Sequence, residues 1–394
     1  MRIGIDASCW ANPRGYGRFT RNMLTALLEM DRENHYVFFM DSLAAVATDF
    51  PATVERKVVA LSESPTQAAS AEGRRSVRDM LKMGLAVSRE SLDIFFYPSV
   101  YTYYPVFTSA KKIVAIHDVI AEKYPELIFN SRKNRFFWDA KTWLAVRQAD
   151  LILTVSRFSQ QGIARHFGVP ECDIRVVTEG SDDSFYPIKE KAGWGGRFLA
   201  HGLNEHTRFI LYVGGIAPHK NLSVLVRAFS RLMKKPGYED LRLVLVGDYK
   251  NDVFLMDEAL KQTMNESAFA DKVVFTGYIP DAELNMLYNA ARVFVLPSFC
   301  EGFGLPALEA MSCGTVVIGS NTTSVPEVVG DAGLFFDPGN EQELYDCLCR
   351  ILDDDQLREE LGKRSLQRAA LFSWQASASE MLRVIQDLGA RRGL

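Results

Sequence analysis

Short apolar runs alternate with segments of helical periodicity along nearly the whole sequence, and this alternation limits the fold more than any other feature. The runs that we predict as strands are residues 2–7, 35–40, 57–61, 94–98, 112–118, 151–156 and 174–180 in the first half, and 209–215, 241–247, 272–278, 293–298, 315–320 and 333–337 in the second. Short apolar runs bounded by turn residues are typical of strands that are buried on both faces. The sequence therefore predicts an α/β protein built from βαβ units around parallel sheets.

The two series of strands indicate two domains. At 394 residues the chain is longer than one hydrophobic core usually organises. The segment 182–208 separates the two series, and its glycines, prolines and charges predict a linker. We predict an N-terminal domain of residues 1–187 and a C-terminal domain of residues 188–371, with the helical segment 372–394 packing back on the first domain.

Each series begins in the same way, with a strand, a loop that contains two glycines, and an apolar helix. The glycines are Gly15 and Gly17 in the first series, and Gly214 and Gly215 in the second. This weak repeat predicts two Rossmann-like domains whose parallel sheets face each other across a cleft. Ligands of such sheets bind beyond the carboxyl ends of the strands, so we expect a site in the loops that follow them.

Charge, cysteine content and apolar segments exclude several classes of protein. A net charge of −4 without a long basic stretch argues against nucleic-acid binding. The six cysteines form no CxxC pair, which predicts buried, reduced thiols in a cytosolic protein without a metal site. The sequence begins with a strand-like run and has no apolar run of about 18 residues, so we expect a cytoplasmic chain with neither a leader peptide nor a membrane span.

The segment FVLPSFCEGFGLPALEAMSCG, residues 294–314, combines a strand, a glycine-rich loop and a helix start. The backbone amides of residues 302–305 (Gly302, Phe303, Gly304 and Leu305) are predicted to cradle a diphosphate at the helix N-terminus, with Pro306 as the first helical residue. Glu301 and Glu309 flank these amides, and a carboxylate accepts two hydroxyl donors, which suits a sugar on each side. Either glutamate alone is better explained as a loop or first-turn carboxylate; the combination favours a sugar-nucleotide site.

These motifs resemble the retaining, family 4-like glycosyltransferases of the GT-B fold. The segment EGFGLPALE is similar to the E-x7-E motif of that family, and the likeness continues in LYVGGIAPHKNLSVLVRAF, VFTGYIPDAELNMLYNAARVFVLPS, GYGRFTRNML, IHDVIAEKYPE and VSRFSQQGIARHFGVP. The resemblance implies transfer of a hexose, with retention, from a nucleotide-diphosphate sugar to a hydroxyl of a glycan or glycolipid acceptor in polysaccharide or glycoconjugate biosynthesis. It implies no cofactor and no metal. UDP-glucose is the first choice of donor and GDP-mannose the second.

The resemblance also implies roles for the residues that match the family's motifs. Glu301 and His117 contact the donor sugar, the latter from the opposite domain, and Lys220 binds the diphosphate. Glu309 binds the ribose, and Tyr278 stacks on the base. The remaining implied contacts are Gly214, Gly215 and the loop 302–305 for the donor, and Gly15, Tyr16 and Gly17 for the acceptor.

The sequence departs from the pattern of many relatives in two respects. Many relatives carry arginine either at the position of His219, beside the lysine, or at the position of Gly215. One cation of the donor site is therefore missing here or comes from elsewhere. Glu179 stands where many relatives have asparagine, which makes the role of a loop near the acceptor uncertain.

Three other functions remain open. The motif GYGRFT could belong to an NAD-dependent oxidoreductase, and Asp41 ends the second strand suitably, but the third glycine is missing and the loop starts too far from the strand. A nucleotide-sugar epimerase of the same architecture is the second alternative. A non-catalytic sugar-nucleotide-binding protein is the third.

Two segments of the first half, residues 72–90 and 131–147, mix basic and large apolar residues at helical spacing. They are explained either as amphipathic helices packed on the sheet or as a surface that meets a lipid-linked acceptor. The second explanation would place the protein in peripheral contact with the inner face of the membrane.

Overall fold

The computed structural model describes residues 1–12, 15–42, 44–46, 50–62, 76–129, 131–189, 195–248 and 257–390. The chain divides into two compact units. The first unit is Met1–Gly180 with Trp374–Leu394, and the second is Ser181–Ser373.

The first unit is built around a seven-stranded parallel sheet with the strand order β3-β2-β1-β4-β5-β6-β7. Its strands are β1 (Arg2–Asp6), β2 (His35–Asp41), β3 (Glu55–Val59), β4 (Ile94–Tyr97), β5 (Lys111–Ala115), β6 (Leu151–Thr154) and β7 (Ile174–Val176). Its helices are α1 (Gly15–Met30), α2 (Val77–Ser88), α3 (Ile120–Lys123), α4 (Pro125–Ile128), α5 (Arg132–Gln148), α6 (Arg157–Phe167) and, from the end of the chain, α14 (Trp374–Ala390).

The second unit is built around a six-stranded parallel sheet with the strand order β10-β9-β8-β11-β12-β13. Its strands are β8 (Phe209–Val213), β9 (Arg242–Val246), β10 (Val273–Gly277), β11 (Val293–Leu296), β12 (Val317–Ser320) and β13 (Gly333–Phe336). Its helices are α7 (Leu222–Leu232), α8 (Glu258–Glu266), α9 (Asp281–Ala290), α10 (Leu305–Ser312), α11 (Val325–Val329), α12 (Glu341–Asp353) and α13 (Asp355–Ala369).

The prediction of parallel sheets is confirmed, and every predicted strand forms. The central strands β4, β6, β8 and β11 are buried at every position, which is why their sequences are continuously apolar rather than alternating. Most predicted strands end too late, most clearly 112–118 and 174–180, because the pairing stops at Ala115 and Val176 and the following residues turn away at the carboxyl edge.

The C-terminal helix α14 packs on α1 within the first unit. Trp374, its first residue, lies edge-on to Phe19 of α1 with ring centroids 6.0 Å apart, and the Ser377 hydroxyl donates a hydrogen bond to the carbonyl of Thr178. The helix is therefore part of the core of a unit whose other residues lie far away in the sequence.

Part of the predicted linker has a fixed place in the second unit. The amides of Tyr186 and Ile188 donate hydrogen bonds to the side chains of Asn285 and Asn289, both in α9. The unit boundary accordingly lies at Gly180, several residues before the predicted one. Residues 190–194 of the predicted linker lie outside the described residues.

The cysteines are all free, but the prediction that all are buried is wrong for Cys172, which is exposed, and for Cys349, which is only partly buried. Cys172 lies in a one-turn 3-10 helix, Glu171–Asp173. Among the described residues, no helix is long and apolar enough to cross a membrane.

Candidate functional site

The strand order of the second sheet reverses between β8 and β11, which lie side by side at its centre. In an open α/β sheet, the loops that follow the two strands at such a point leave the sheet in opposite directions and bound a crevice at its carboxyl edge. Lys220 lies on the loop after β8 and Glu301 on the loop after β11. The topology therefore brings together two residues that are 81 positions apart in the sequence.

Lys220 and Glu301 form an ion pair in this crevice. The Lys220 Nζ atom lies 2.8 Å from Oε1 and 2.9 Å from Oε2 of Glu301. The Ser298 hydroxyl donates a further hydrogen bond of 2.6 Å to Oε1. Only 8% of Glu301 is exposed, so these donors replace most of the water that would otherwise solvate the carboxylate.

The surroundings of this pair hold Glu301 charged and His219 neutral. Burial alone would raise the pKa of Glu301, but the charge and hydrogen bond of Lys220, together with Ser298, outweigh it and lower the pKa. For His219, burial and the neighbouring Lys220 charge lower the pKa to about 4. His219, which departs from the arginine of many relatives, therefore supplies no second cation at neutral pH.

Backbone contacts tie the two loops together. The amide of Phe299 donates to the carbonyl of His219 at 2.9 Å, and the Asn221 side chain donates to the carbonyl of Pro297 at 3.1 Å. Asn221 has a positive φ of 56°, a conformation that asparagine tolerates better than most residues. The position of Lys220 is thus fixed by its neighbours on both sides, and not only by its own ion pair.

A third loop, after β12, holds the backbone around Glu301. The Ser324 hydroxyl contacts the carbonyls of Glu301 and Phe303, each at 3.0 Å, and the amide of Glu301 donates to the Thr323 hydroxyl at 3.3 Å. Thr323 has a φ of 64°, which is strained for a β-branched residue. Strain of this kind persists only where the surrounding structure enforces it, and it concentrates at functional sites.

The loop ends at Gly304, which caps α10 with a φ of 104° that only glycine adopts without strain. The amides of Gly304 and Leu305 form no hydrogen bond within the described parts of the chain. Pro306 is the second helical residue rather than the predicted first, and it has no N–H to satisfy. The helix N-terminus therefore offers two amides and a partial positive charge, next to the crevice that holds Lys220.

Glu309 lies within α10, almost completely buried, and its Oε2 atom accepts a hydrogen bond of 2.9 Å from the Tyr288 hydroxyl. The predicted contact with a ribose stays a prediction, since this arrangement also suits a structural carboxylate. Tyr278, which follows β10, is 73% exposed and therefore accessible for the predicted stacking on a base.

The remaining predicted donor residues, Gly214 and Gly215, follow β8 directly. The amide of Gly214 donates to the carbonyl of Val246 at 2.9 Å and so extends the pairing with β9, while the Tyr212 hydroxyl donates to the carbonyl of Gly215 at 2.8 Å. Both glycines lie at the carboxyl edge of the sheet, as predicted.

In the first unit, His117 follows β5 and its ring contacts acceptors on both sides. Its Nε2 atom lies 2.9 Å from the carbonyl of Pro98, and its Nδ1 atom lies 3.5 Å from Oε1 of Glu179. Burial disfavours the charged ring, but Glu179 and the Pro98 carbonyl outweigh it and raise the pKa of His117. Neither partner can donate a proton, so the geometry favours the doubly protonated imidazolium.

The predicted acceptor loop proves to be partly structural. A side chain at Gly17 would come within 2.0 Å of the Asn12 carbonyl, so the start of α1 needs glycine there for packing alone. Gly15, by contrast, faces open space. Tyr16 stacks on Tyr101 with ring centroids 5.1 Å apart, and its hydroxyl accepts a hydrogen bond from Asn12.

The sequence analysis missed Ser298, Thr323, Ser324 and Tyr288, and it treated Glu179 only as a departure. Ser298 alone had a local signal, because it lies between an apolar strand and the glutamate. Among the described residues, no group of three or more His, Cys, Asp or Glu side chains forms a candidate metal site.

Two protein-family models match this chain. The model described as Glycosyl transferases group 1 matches residues 198–368, and Glycosyltransferase Family 4 matches residues 13–185. O-antigen chain mannosyltransferase B from Escherichia coli is 34% identical over an alignment of 284 positions that covers 69% of each chain. D-inositol 3-phosphate glycosyltransferase from Corynebacterium jeikeium (strain K411) is 32% identical over 62% of this chain and 58% of its own length. Serotype-specific mannosyltransferase WbdA from Escherichia coli is 30% identical over 68% of this chain, which spans about a third (32%) of WbdA's length.

Solved structures resemble this one along its whole length. Sucrose-phosphate synthase from Thermosynechococcus elongatus has a TM-score of 0.75 at 21% identity, covering 99% of this chain and 100% of the other. HepE from Anabaena, solved in complex with UDP-glucose, has a TM-score of 0.72 at 16% identity, covering 98% and 99%. At such identities the likeness concerns the fold, which is the GT-B fold with two Rossmann-like domains.

The fold, and the charged crevice at the switch point of its second sheet, define a GT-B glycosyltransferase. Within that class, the chain belongs to the family 4-like glycosyltransferases. The resemblance stated from the E-x7-E motif is confirmed, and this family assignment removes the NAD-dependent oxidoreductase from the alternatives.

Proposed function

We propose that this glycosyltransferase transfers a hexose from a nucleotide-diphosphate sugar to a hydroxyl group of a glycan or lipid-linked acceptor, with retention of the anomeric configuration and without a metal ion. The observation that carries the proposal is the Lys220–Glu301 pair beside the N-terminus of α10. A lysine and a helix N-terminus together can balance the charge of a departing diphosphate.

Lys220 can serve the diphosphate without giving up Glu301. An ammonium group has three N–H donors, and the two oxygens of Glu301 account for two of them. The third remains for a phosphate oxygen. In this arrangement Glu301 orients the ammonium, while its own carboxylate is available to a sugar hydroxyl that approaches the same crevice.

The proposed reaction is a dissociative transfer. The bond between the anomeric carbon and the diphosphate oxygen breaks, and its electron pair goes to the diphosphate, which Lys220 and the amides of Gly304 and Leu305 stabilise. The acceptor oxygen bonds to the anomeric carbon on the same face, and its proton passes to the departing diphosphate oxygen. No covalent enzyme intermediate is needed.

The donor that we propose is GDP-mannose, ahead of UDP-glucose. The family resemblance alone ranked UDP-glucose first. The relatives named as mannosyltransferases include one that is 34% identical over 69% of its own length, whereas the UDP-glucose complex belongs to a protein that is only 16% identical. The first of these relatives is named for the O-antigen chain, which supports a polysaccharide or related glycan as acceptor.

A two-step experiment tests the proposed function. A thermal-shift screen of GDP-mannose, UDP-glucose and an ADP-sugar identifies the donor, and product analysis with and without a glycan acceptor then follows its fate. Transfer to the acceptor with a retained anomeric configuration supports the proposal. A donor that is epimerised without acceptor would instead support the epimerase, and one that is bound but never consumed would support the binding protein.

We also propose that the enzyme works in the cytoplasm and contacts the inner face of the membrane peripherally, where a lipid-linked acceptor would be presented. The support is the exposure of large apolar and basic side chains on helices of the first unit.

A further inference from the structure

We infer that the outer faces of helices α2 and α5 form one surface that binds an anionic lipid membrane through exposed apolar side chains surrounded by basic ones. The biological role of this surface rests on the proposed function, because the surface would bring the enzyme to an acceptor that is held in the membrane. The binding itself requires no sugar, so it can be measured separately.

The two helices cover the same face of the first sheet. Met83 of α2 and Trp138 and Ala145 of α5 belong to one buried apolar cluster that also contains Phe95 and Tyr97 of strand β4. The inner faces of both helices are therefore accounted for by ordinary packing. Whatever lies on their opposite faces points away from the sheet.

The outer face of α2 carries a stripe of aliphatic side chains. Val77, Leu81 and Leu85 follow one another at four-residue spacing, so they lie above one another on the helix, and all three are exposed. Phe107 extends the stripe, because its amide donates a hydrogen bond to Ser88 at the end of α2 and its side chain is 69% exposed.

The outer face of α5 carries aromatic side chains. Phe136, Phe137 and Trp143 are 68%, 58% and 57% exposed. Of the sixteen exposed large hydrophobic side chains among the described residues, seven belong to α2, Phe107 and α5. Scattered exposed apolar residues need no explanation, but a concentration on two helices that cover the same face of the sheet indicates an interaction surface.

Basic residues surround these apolar positions. Helices α2 and α5 together contain seven basic and two acidic residues. Each acidic residue pairs with a basic residue of its own helix: Asp79, which is buried, lies 3.5 Å from Lys82, and Asp139 lies 3.7 Å from Arg135. The two helices therefore carry an excess of five positive charges.

Two of the cations lie directly beside the exposed rings of α5. Lys133 is 6.0 Å from the ring centroid of Phe137, and Arg147 is 5.4 Å from that of Trp143. This combination matches an interfacial helix, whose aromatic side chains enter the boundary between headgroups and acyl chains while its basic side chains meet anionic headgroups. Charge complementarity thus selects an anionic lipid surface as the occupant.

Sedimentation with vesicles tests the inference. The purified full chain, without donor or acceptor, is mixed with vesicles of phosphatidylcholine alone or of phosphatidylcholine with phosphatidylglycerol, at low and at high salt. We expect binding to the anionic vesicles that high salt weakens, and weaker binding to the neutral ones. A protein that stays in the supernatant with anionic vesicles at low salt would overturn the inference.

Matched variants separate this surface from the rest of the molecule. The charge variant Arg132→Glu/Lys133→Glu and the apolar variant Phe136→Ser/Trp143→Ser should each weaken vesicle binding about tenfold or more. The controls Lys363→Glu and Leu371→Ser change exposed residues of the second unit and should bind like the wild type. Equal binding by all of these proteins would overturn the inference.

Trp143 supplies a local probe. The probe uses a Trp194→Phe background, which removes the one tryptophan that lies outside the described residues. On anionic vesicles the fluorescence of this protein should shift to the blue, and adding Trp143→Phe should remove that shift because Trp10, Trp138 and Trp374 are already buried. Self-association in solution that the same surface variants abolish, without vesicle binding, would show that a second copy covers this surface and would overturn the inference. Transfer to a soluble acceptor, measured in parallel, distinguishes a failure of this inference from a failure of the proposed function.

Discussion

The ammonium group of Lys220 is held by both carboxylate oxygens of Glu301, at 2.8 and 2.9 Å, although the two residues follow different strands. Because both side chains are largely buried, the pair is screened little by water and holds the loops after β8 and β11 in one arrangement. Removing either partner alone should therefore have a different effect from removing both.

We predict that Lys220→Ala destabilises the protein by about 3 kcal/mol, since it leaves the buried Glu301 carboxylate without its counter-charge. The double variant Lys220→Ala/Glu301→Gln should recover much of this loss, because no unpaired charge is left. Urea unfolding of the two single variants and the double variant measures the coupling. Additive losses would show that the two side chains do not interact.

The same pair should govern turnover. Glu301→Ala should retain the fold and lower turnover by about 10² to 10³, because the Lys220 ammonium would no longer be oriented toward the charge that develops on the diphosphate. Ser298→Ala removes a hydrogen bond to the same carboxylate and serves as the milder comparison. Full turnover of purified Glu301→Ala would exclude this glutamate from the mechanism.

The pair formed by His117 and Glu179 predicts that the stability of the fold depends on pH. Because the folded protein raises the pKa of His117 above the ordinary 6.5, the pair stabilises the fold fully below that value, and the stabilisation is lost as the pH rises through the folded pKa. Glu179→Gln should lower the pKa of His117, measured by NMR titration of its ring protons, while Glu179→Asp should retain part of the effect. An unchanged titration in Glu179→Gln would mean that Glu179 is not the partner.

Glu122 should also make the protein less stable as the pH rises, but for a different reason. Burial raises its pKa to about 7, although the Trp138 indole donates a hydrogen bond of 2.7 Å to the carboxylate. The unfolded chain releases this proton at a lower pH than the folded one, so stability declines between about pH 4.5 and 7. Glu122→Gln, which still accepts from Trp138, should flatten that decline in urea unfolding at several pH values. An identical decline in the variant would show that other groups cause it.

Substitutions at Thr323 separate the effect of its positive φ on stability from the effect of its hydroxyl contact on turnover. Thr323→Gly relieves the positive φ and should leave the stability unchanged or up to about 1 kcal/mol higher, yet it removes the hydroxyl that accepts from the Glu301 amide. We therefore expect turnover to fall about tenfold in Thr323→Gly and to be largely retained in Thr323→Ser. Steady-state kinetics of both variants decide, and a fully active Thr323→Gly would show that the hydroxyl contact has no part in positioning Glu301.

Most of the fold was predictable because burial on both faces makes the strands continuously apolar. Strands such as β8 and β11 stand out in the sequence for that reason, and turn residues bound them. The meeting of Lys220 and Glu301 was predictable in outline, because the carboxyl ends of parallel strands share one edge. That the two would pair with each other was not, because the sequence does not specify which strands are neighbours.

The residues that the sequence analysis missed depend on contacts between distant segments. Thr323 reaches Glu301 only because β12 pairs with β11, and its strained φ leaves no mark on the residue type. Glu179 meets His117 because β5 and β7 both flank β6. Gly17 resembled a ligand-binding glycine, but the nearby Asn12 carbonyl leaves no room for a side chain and so explains the glycine without a ligand.

The most direct test of the central claim is a crystal structure of the protein with GDP or UDP bound, grown in the presence of EDTA. The account predicts that the diphosphate lies within about 3 Å of the Lys220 ammonium and of the Gly304 and Leu305 amides, with no metal ion between them. A diphosphate bound away from the N-terminus of α10, or bound only when a divalent metal is supplied, would contradict it.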